Sequence, residues 1–535
     1  MPDGTTERGA DYLYEALVDT GIELLVGLPG TQTLPLDRTV ATRSEIDYLM
    51  ARHETAVPHI AWGYYEANGG VAATLTIPGP GDTNALHGLK NALEDCVPII
   101  HISADTNPEV RGKKPIHEID PATYDAALKA NVTVEKPAEL SEKIERGIET
   151  ALTPPYGPVR LGIPSTVLDA ELSIAAASVS PARVTFDTDS LYDRAVDLLS
   201  QASRPLVYLG GGVRRADGGP QAVNDLLDEL NAPVATSFKG KGVFAEDDPR
   251  YLGTTSKHLP TGVKRVLDGA DVVLALGTDF DGVTTGNWTL AMGEHLIHVN
   301  LAADAIDASY DADVAIRDDV TTATRTIRDR LHHQDERSAT WAGDRIGAAV
   351  RSEFRTHLRE EGLLANTSPA RTPAVLHAIR DAVPRKGIVT TDVGGFRLWA
   401  KQVFETYAPE SYVTAGSWAG MGVGLPAAIG AKVANPDRPV VALTGDGGLM
   451  MCLQELHTAV AEGIDVVGIV FNNADYGIIS KSLAMERRTD GHRFGWSSPD
   501  FGAIAEGFGC RATRVQSPEG VRDAVTAALE RDDGP

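Results

Sequence analysis

Short runs of apolar residues alternate along the chain with longer stretches in which apolar residues recur at helical spacing. The short runs predict buried strands and the longer stretches predict amphipathic helices. Strands and helices that alternate in this way are typical of α/β domains built on parallel sheets. We predict strands at Ile22–Gly27, Ile46–Ala51, Val71–Ile77, Pro98–Ser103, Leu206–Leu209, Val272–Leu276, Leu296–Val299, Gly387–Thr391, Pro439–Thr444 and Asp465–Phe471.

Two segments interrupt this alternation. Ala176–Ser190 is rich in small and polar residues, which is typical of a linker. His332–Pro369 is charged, and we predict that it is helical and connects two domains. Because a chain of 535 residues is too long for a single hydrophobic core, the sequence predicts three doubly wound parallel-sheet α/β domains. Their predicted bounds are residues 1–175, 191–331 and 370–535.

The composition narrows the range of partners. The formal net charge is −25, and a surface this acidic repels nucleic acid and anionic lipid. The acidic excess, with few lysines and few aromatic residues, also predicts a halophilic source. A membrane-spanning helix needs about eighteen consecutive apolar residues, and no such stretch occurs. The first residues lack the basic and apolar segments of a secretory signal, so we expect a cytoplasmic protein that binds neither nucleic acid nor membrane.

One glycine run follows a predicted strand in the middle of the chain. Gly210-Gly211-Gly212 comes directly after Leu206–Leu209 and resembles a nucleotide-binding loop. The dinucleotide fingerprint requires a third glycine where this sequence has Arg215. We therefore interpret the run as a tight turn and do not predict a nicotinamide enzyme.

A second glycine run, near the C-terminus, lies in a pattern that indicates chemistry. A predicted strand ends directly before Gly445-Asp446-Gly447-Gly448, a helix is predicted over Cys452–Ala461, and the next strand ends before Asn472-Asn473. Parallel strands of such a βαβ unit end at the same edge of the sheet, so Asp446 and Asn473 are expected to meet. A carboxylate with a carboxamide oxygen suits Mg²⁺, and glycines allow backbone N–H groups to approach a diphosphate.

This arrangement resembles the signature of thiamine-diphosphate enzymes. The resemblance implies that Asp446, Asn473 and the backbone carbonyl of Asp475 bind Mg²⁺, and that Gly445, Gly447 and Gly448 lie against the cofactor's diphosphate. The loop Asp392-Val393-Gly394 also resembles a loop of this group, which assigns Gly394 to the cofactor site. A strand with glycine and asparagine turns but no ligand is the alternative interpretation.

Two further segments resemble the same family. Arg52-His53-Glu54 resembles the segment whose glutamate bonds to the cofactor's aminopyrimidine ring and helps the thiazolium ring to lose its proton. The alternative for Glu54 is a glutamate in the first turn of a helix, where it favours the helix dipole. Trp418–Ala428 resembles the segment that bends the cofactor. This implies that Met421 supports the cofactor and that the carbonyl of Ala419 binds its amino group, where the family usually has glycine.

The resemblance covers about residues 10 to 530 and is strongest to the acetolactate synthase large (catalytic) subunit. It implies pyrimidine-binding, middle and diphosphate-binding domains in that order. It also implies an active site between subunits of a homodimer or homotetramer, and it allows a regulatory small subunit. Family members usually continue into a last strand beyond the residue that corresponds to Pro535, so we expect the sequence to be truncated there.

The positions expected around the substrate differ from the synthase. Ser482 replaces a tryptophan, Phe396 replaces the histidine of a Gln-His pair, and His117 stands where glutamine is expected. We name these three residues as candidate substrate contacts, and His117 could equally be an exposed loop histidine.

The flavin site is also altered. Flavin-bearing synthases carry two arginines in a middle-domain stretch that corresponds here to Gly277–Asn287, and these positions are Asp279 and Val283. Because an aspartate repels a flavin diphosphate, we predict that FAD is absent or weakly bound.

Three functions are consistent with these observations. The first is decarboxylation of a 2-oxo acid with carboligation to a second 2-oxo acid, as in acetolactate synthase of branched-chain amino acid biosynthesis. The alternative is a non-oxidative 2-oxo acid decarboxylase of the benzoylformate or indolepyruvate type, which Phe396 and Ser482 favour. The third is a binding or regulatory module without turnover, against which the intact Glu54, Asp446 and Asn473 argue.

Overall fold

The computed structural model describes residues 6–173, 177, 179–181, 186, 188–334, 338–487, 494–531 and 534–535. These residues form an α/β protein with three parallel sheets, as the sequence predicts. Seven of the fifteen residues of the predicted linker Ala176–Ser190 lie outside the described residues. No helix in the described ranges has the length and apolar content needed to cross a membrane.

The first part of the chain forms a sheet in which every strand pair is parallel, with helices on both faces. Its elements are β1 (Thr6–Arg8), α1 (Gly9–Asp19), β2 (Leu24–Gly27), α2 (Leu34–Val40), β3 (Asp47–Met50), α3 (Ala56–Asn68), β4 (Ala72–Thr76), α4 (Pro80–Glu94), β5 (Ile99–Ser103), β6 (Ala130–Thr133), α5 (Leu140–Leu152), β7 (Val159–Gly162), α6 (Ser165–Leu168) and β8 (Glu171–Ser173). The strand order is β3-β2-β4-β5-β7-β6, and β1 pairs separately with β8.

The middle part of the chain forms a second parallel sheet. Its elements are α7 (Asp189–Gln201), β9 (Pro205–Leu209), α8 (Gly212–Arg215), α9 (Gly219–Leu230), β10 (Val234–Thr236), β11 (Tyr251–Thr254), α10 (Thr261–Gly269), β12 (Val272–Leu276), β13 (His295–Val299), β14 (Val314–Ile316), α11 (Val320–His332) and α12 (Gly343–Glu360). The order is β11-β10-β9-β12-β13-β14. The chain places β10 and β11 on one side of β9 and then returns to place β12, β13 and β14 on the other side.

The last part of the chain forms a smaller sheet of order β16-β15-β17-β18. Its elements are α13 (Thr372–Ala382), β15 (Ile388–Thr391), α14 (Gly395–Val403), β16 (Tyr412–Thr414), α15 (Gly424–Ala434), β17 (Val440–Gly445), α16 (Asp446–Leu449), α17 (Glu455–Ala461), β18 (Val467–Phe471), α18 (Gly477–Arg487), α19 (Phe501–Phe508) and α20 (Pro518–Leu529).

The predicted strands agree with the structure to within about two residues at each end, and α12 confirms the helical connection. One helix differs. The segment predicted as a helix from Cys452 begins its helix at Glu455, because the chain already makes the short helix α16 and must turn before it continues. Apolar spacing alone does not reveal that turn, since Cys452 is buried in either arrangement.

The first and last domains of one chain are in direct contact through α3 and α15. A Cβ atom on Gly63 would lie 2.3 Å from the carbonyl oxygen of Ala427, and one on Gly430 would lie 2.0 Å from that of Ile60. The two helices can approach this closely only because these positions are glycine. Their buried side chains belong to one apolar cluster.

Candidate active site

The carboxyl ends of β17 and β18 lie side by side. The strands are parallel neighbours, with Gly445 opposite Phe471. Asp446 follows directly and is buried. Its Oδ1 accepts a hydrogen bond from the N–H of Gly447 at 2.9 Å, and its Oδ2 accepts one from the N–H of Ala474 at 2.6 Å. The carboxylate therefore touches the loop that follows β18.

That loop supplies further oxygen atoms. Asn473 is exposed and lies against Gly477, where a Cβ atom would be 2.6 Å from Asn473 Nδ2. The carboxylate of Asp475 accepts a hydrogen bond from Ser480 Oγ at 2.7 Å. Across the described ranges, no three His, Cys, Asp or Glu residues form a metal-binding group. A metal here would depend on the Asp446 carboxylate, the Asn473 carboxamide and a backbone carbonyl, and these hard oxygen atoms fit Mg²⁺.

Two glycines let neighbouring side chains pack closely against this edge of the sheet. A Cβ atom on Gly447 would lie 2.9 Å from the ring of Tyr476 and 3.2 Å from the methyl group of Met421. A Cβ atom on Gly448 would lie 2.7 Å from Asp392 Oδ2. Because neither residue has a side chain of its own, their backbone N–H groups can approach a diphosphate. The loop Gly445–Gly448, which we call the glycine cradle, therefore fits the diphosphate end of the cofactor.

Asp392, directly after β15, is hydrogen-bonded to three segments beside the glycine cradle. Its carboxylate accepts hydrogen bonds from the backbone N–H groups of Val393, Gly422 and Gly424 and from the hydroxyl of Thr444. Burial raises the pKa of Asp392, and these hydrogen bonds oppose the rise. The sequence indicated only its neighbour Gly394 as a site residue. An acidic residue directly after a buried strand was the available signal for Asp392.

The segment before α15 turns sharply beside the cradle. Ala419 and Gly422 have left-handed φ values of 47° and 86°. This turn brings Met421 next to Gly447, so that the methionine lies over the open edge of the sheet. Met421 therefore lies beside Gly447, and Ala419 lies in the same turn.

A cavity of about 660 Å³ lies between the first and last domains. It is lined by Thr55, Ala56 and His87 from the first domain and by Gly420, Met421, Gly422, Pro426, Met451, Cys452 and Gln454 from the last. The start of α3 and the turn before α15 therefore face the same space within one chain, whereas the resemblance implies a site between subunits. Among the candidate site residues that the structure describes, only Met421 lines this cavity.

Glu54 lies immediately before the cavity wall. It precedes Thr55 and is half-buried, and its Oε2 accepts a hydrogen bond from Asn84 Nδ2 at 3.1 Å. The backbone N–H of Arg52 donates to the carboxylate of Glu455 at 3.2 Å, which joins this segment to the last domain. Asn84 and Glu455 are contacts that the sequence did not indicate, because both lie far from Arg52-His53-Glu54 along the chain.

The candidate substrate residues are dispersed. His117 is half-buried and its Nδ1 lies 3.1 Å from Gln32 Nε2. Phe396 is buried and stacks on Phe471 with ring centroids 4.8 Å apart, below the loop of Gly445. Ser482 is exposed on α18. The described contacts bring none of the three into a common group.

The glycine run of the middle domain is closed. A Cβ atom on Gly210 would lie 2.1 Å from the carbonyl oxygen of Gly277, so the ends of β9 and β12 touch. Beside them, a Cβ atom on Gly211 would meet Arg215 Nη1 and Lys239 Cβ, each at 2.9 Å. Asp279 is exposed next to this closed loop, and its pKa is raised to about 6 by desolvation and by the neighbouring charge of Asp281.

Comparisons with known proteins agree with the three sheets. Models of the thiamine pyrophosphate enzyme family match this chain in three parts: the N-terminal TPP binding domain at residues 7–124, the central domain at residues 192–327 and the C-terminal TPP binding domain at residues 392–535. The chain therefore belongs to the thiamine pyrophosphate enzyme family.

Within this family the chain is similar to acetolactate synthase large subunits. It is 30% identical to the probable acetolactate synthase large subunit of Methanococcus aeolicus, over 98% of this chain and 90% of that protein. It is 30% identical to the acetolactate synthase isozyme 1 large subunit of Escherichia coli K12, over 94% and 88%. It is 28% identical to the mitochondrial acetolactate synthase catalytic subunit of Saccharomyces cerevisiae, over 96% and 77%.

Proposed function

We propose that this chain catalyses thiamine-diphosphate-dependent decarboxylation of a 2-oxo acid and carboligation to a second 2-oxo acid, as an acetolactate synthase-type transferase. The observation that carries the proposal is the glycine cradle, with Asp446 in it and Met421 next to Gly447. The names of its full-length relatives support the same reaction. Branched-chain amino acid biosynthesis is the corresponding role.

Some of the site residues would bind the metal and the cofactor, and Glu54 would take part in proton transfer. Asp446, Asn473 and the carbonyl of Asp475 would bind Mg²⁺, and Gly445, Gly447, Gly448 and Gly394 would border the diphosphate. Bound thiamine diphosphate would supply the nucleophilic carbon and accept the electrons released with carbon dioxide.

The other end of the cofactor would be held near the turn before α15. The Met421 side chain would keep the cofactor bent and the Ala419 carbonyl would accept a hydrogen bond from its amino group. The Glu54 carboxyl would hold a proton at the aminopyrimidine ring nitrogen. The start of α3, directly after Glu54, borders the cavity that also contains Met421, which supports this division.

Several further properties belong to this proposal. We propose Mg²⁺ as the metal, a homodimer or homotetramer as the assembly, a cytoplasmic location and a halophilic source. The acidic net charge of −25 supports the last of these. Because relatives are named large subunits, a regulatory small subunit is a candidate partner.

The decisive experiment measures pyruvate consumption with thiamine diphosphate and Mg²⁺ at high salt and identifies the products by NMR. Acetolactate is the expected product. Omitting thiamine diphosphate or chelating Mg²⁺ should abolish its formation. Bound cofactor with no carbon dioxide released from any of a broad set of 2-oxo acids would contradict the proposal.

A decarboxylase is the second candidate, and one observation favours it. Phe396 is buried against Phe471 below the glycine cradle, which gives the site an apolar floor suited to a bulkier 2-oxo acid. The same panel distinguishes the candidates, because a decarboxylase releases an aldehyde from benzoylformate or indolepyruvate and forms no acetolactate from pyruvate. His117 and Ser482 are proposed as further substrate contacts.

We propose in addition that FAD is not bound tightly. The contact between Gly210 and Gly277 closes the crevice of the middle domain, and Lys239 and Arg215 fill the adjacent space. Asp279 adds a negative charge that repels a diphosphate. The purified protein should show no stoichiometric flavin absorption, and adding FAD should not change the rate of the reaction. Flavin retained in a one-to-one ratio would overturn this part of the proposal.

A further inference from the structure

His87, on α4 of the first domain, reaches across the cavity to the turn before α15. Its Nδ1 accepts a hydrogen bond from the indole N–H of Trp418 at 2.9 Å. Met421 lines the same cavity as His87. The imidazole is therefore hydrogen-bonded to the residue directly before the segment that contains Ala419 and Met421.

The surroundings of the ring fix its position. A Cβ atom on Gly420 would lie only 1.8 Å from His87 Cε1, so the ring occupies the space that any other residue at position 420 would need. On its other side, His59 on α3 meets the ring edge-on at a centroid distance of 4.8 Å. These two contacts and the hydrogen bond with Trp418 together restrict the orientation of the imidazole.

The hydrogen bond also selects one tautomer. Nδ1 must be unprotonated to accept from Trp418, so the neutral ring carries its proton on Nε2. Burial favours the neutral ring, because it lowers the pKa of His87. The neutral imidazole thus accepts the indole proton of Trp418.

We propose that His87 is a positioning residue that holds Ala419–Met421 in the shape needed to bind and bend the aminopyrimidine end of the cofactor. The inference rests on the proposed function and adds to it a residue from the other domain. A small displacement of Ala419 would misalign its carbonyl, and a displacement of Met421 would release the bend, so both binding and turnover depend on the imidazole.

The test compares four variants of the full chain, each assayed in high salt with saturating Mg²⁺. His87→Ala removes the hydrogen bond with Trp418 and the packing against Gly420, and His87→Gln retains a hydrogen-bond acceptor. Trp418→Phe removes one hydrogen bond but keeps an aromatic ring. His377→Ala is the control, because His377 is an exposed histidine on α13 that pairs only with Asp381 in the described contacts.

Three quantities are measured: the dissociation constant of thiamine diphosphate for the apo-protein, kcat with pyruvate, and the circular-dichroism band of the bound aminopyrimidine. We expect His87→Ala to weaken cofactor binding about tenfold, to lower kcat more than it changes KM for pyruvate, and to reduce the band. His87→Gln should recover part of each loss. Trp418→Phe should shift all three in the same direction by less, and His377→Ala should match the wild type.

Two outcomes would contradict the inference while leaving the proposed function intact. One is wild-type cofactor affinity and an unchanged band in His87→Ala. The other, if His87→Ala fails to fold, is wild-type behaviour in Trp418→Phe. Failure of the wild-type chain to bind thiamine diphosphate would instead count against the proposed function.

Discussion

Two strands of this molecule end in glycine runs, and the runs differ in what faces them. At the end of β9, Gly210 and Gly212 face the backbone of Gly277. At the end of β17, Gly447 faces the ring of Tyr476 and the methyl group of Met421, and Gly448 faces the carboxylate of Asp392. A glycine run allows a close approach, but what approaches can be another part of the same chain. The first run, the closed run, meets backbone that cannot move aside. The second, the open run, meets side chains, which can.

The charged residues near the two runs also differ, because those at the closed run have ion-pair partners. Lys239, beside the closed run, pairs with the carboxylates of Glu66 and Asp95 at 2.9 and 3.1 Å, and Arg215 pairs with Glu66 at 3.3 Å. These cations are neutralised by the first domain. Asp446, beside the open run, accepts hydrogen bonds from backbone N–H groups and has no ion pair among the described residues. Its negative charge remains available to a metal ion.

Removing the carboxylate from the open run should have the largest effect. We expect Asp446→Ala to weaken thiamine diphosphate binding by more than about a hundredfold, because it removes a direct metal ligand. The matched variant at the closed run, Asp279→Ala, should bind the cofactor as the wild type does. Isothermal titration of the apo-proteins at fixed Mg²⁺ measures both. Equal losses in the two variants would contradict the distinction between the runs.

A change in the first domain should separate binding from chemistry. Glu54→Gln keeps the size of the side chain and its contact with Asn84 but loses the acidic proton. We expect the cofactor affinity to stay within a few-fold of the wild type and kcat to fall by about 10²–10⁴-fold, the usual contribution of a positioned acid or base. Asn84→Ala, which only removes the support, should cost less. Full activity of Glu54→Gln would show that the glutamate is misassigned.

The two runs should also respond differently to the same substitution. Gly210→Ala places a methyl group 2.1 Å from a backbone oxygen, and such overpacking costs about 1–3 kcal/mol of the free energy of unfolding. Gly447→Ala meets only side-chain tips that can move, so the Tm of the apo-protein should change little. Its cofactor affinity should nevertheless drop about tenfold. Thermal unfolding and cofactor titration of both variants measure these effects. A lower Tm for Gly447→Ala than for Gly210→Ala would contradict the comparison.

The order of strands and helices could be predicted from the sequence, because the spacing of apolar residues follows which face of each element is buried. It also indicated that Asp446 and Asn473 follow neighbouring strands, since parallel strands of a βαβ unit share an edge. It did not indicate the contacts of Asp392, His87 or Glu455, which join residues that are distant along the chain. Similarly, the closure of Gly210 against Gly277 depends on how two loops meet, and no local pattern encodes that distance.

The smallest expected effect concerns the charge beside the closed run. The pKa of Asp279 is raised to about 6, chiefly by desolvation, so the unfolded chain, with a pKa near 4, loses this proton at lower pH than the folded one. Folding therefore binds a proton between about pH 4 and 6, and the free energy of unfolding decreases as pH rises through that range.

Asp279→Asn removes this dependence. The gain in stability should be smallest near pH 4, should grow up to about pH 6 and should stay constant above it. Because the side chain is exposed, water screens the charge and the gain should remain below about 1 kcal/mol. Denaturant unfolding of the wild type, Asp279→Asn and the control Asp304→Asn, which changes an exposed aspartate elsewhere in the middle domain, measures this gain at three pH values. A gain that is largest at the lowest pH would contradict this prediction. It would indicate that the charge of Asp279 stabilises the closed run.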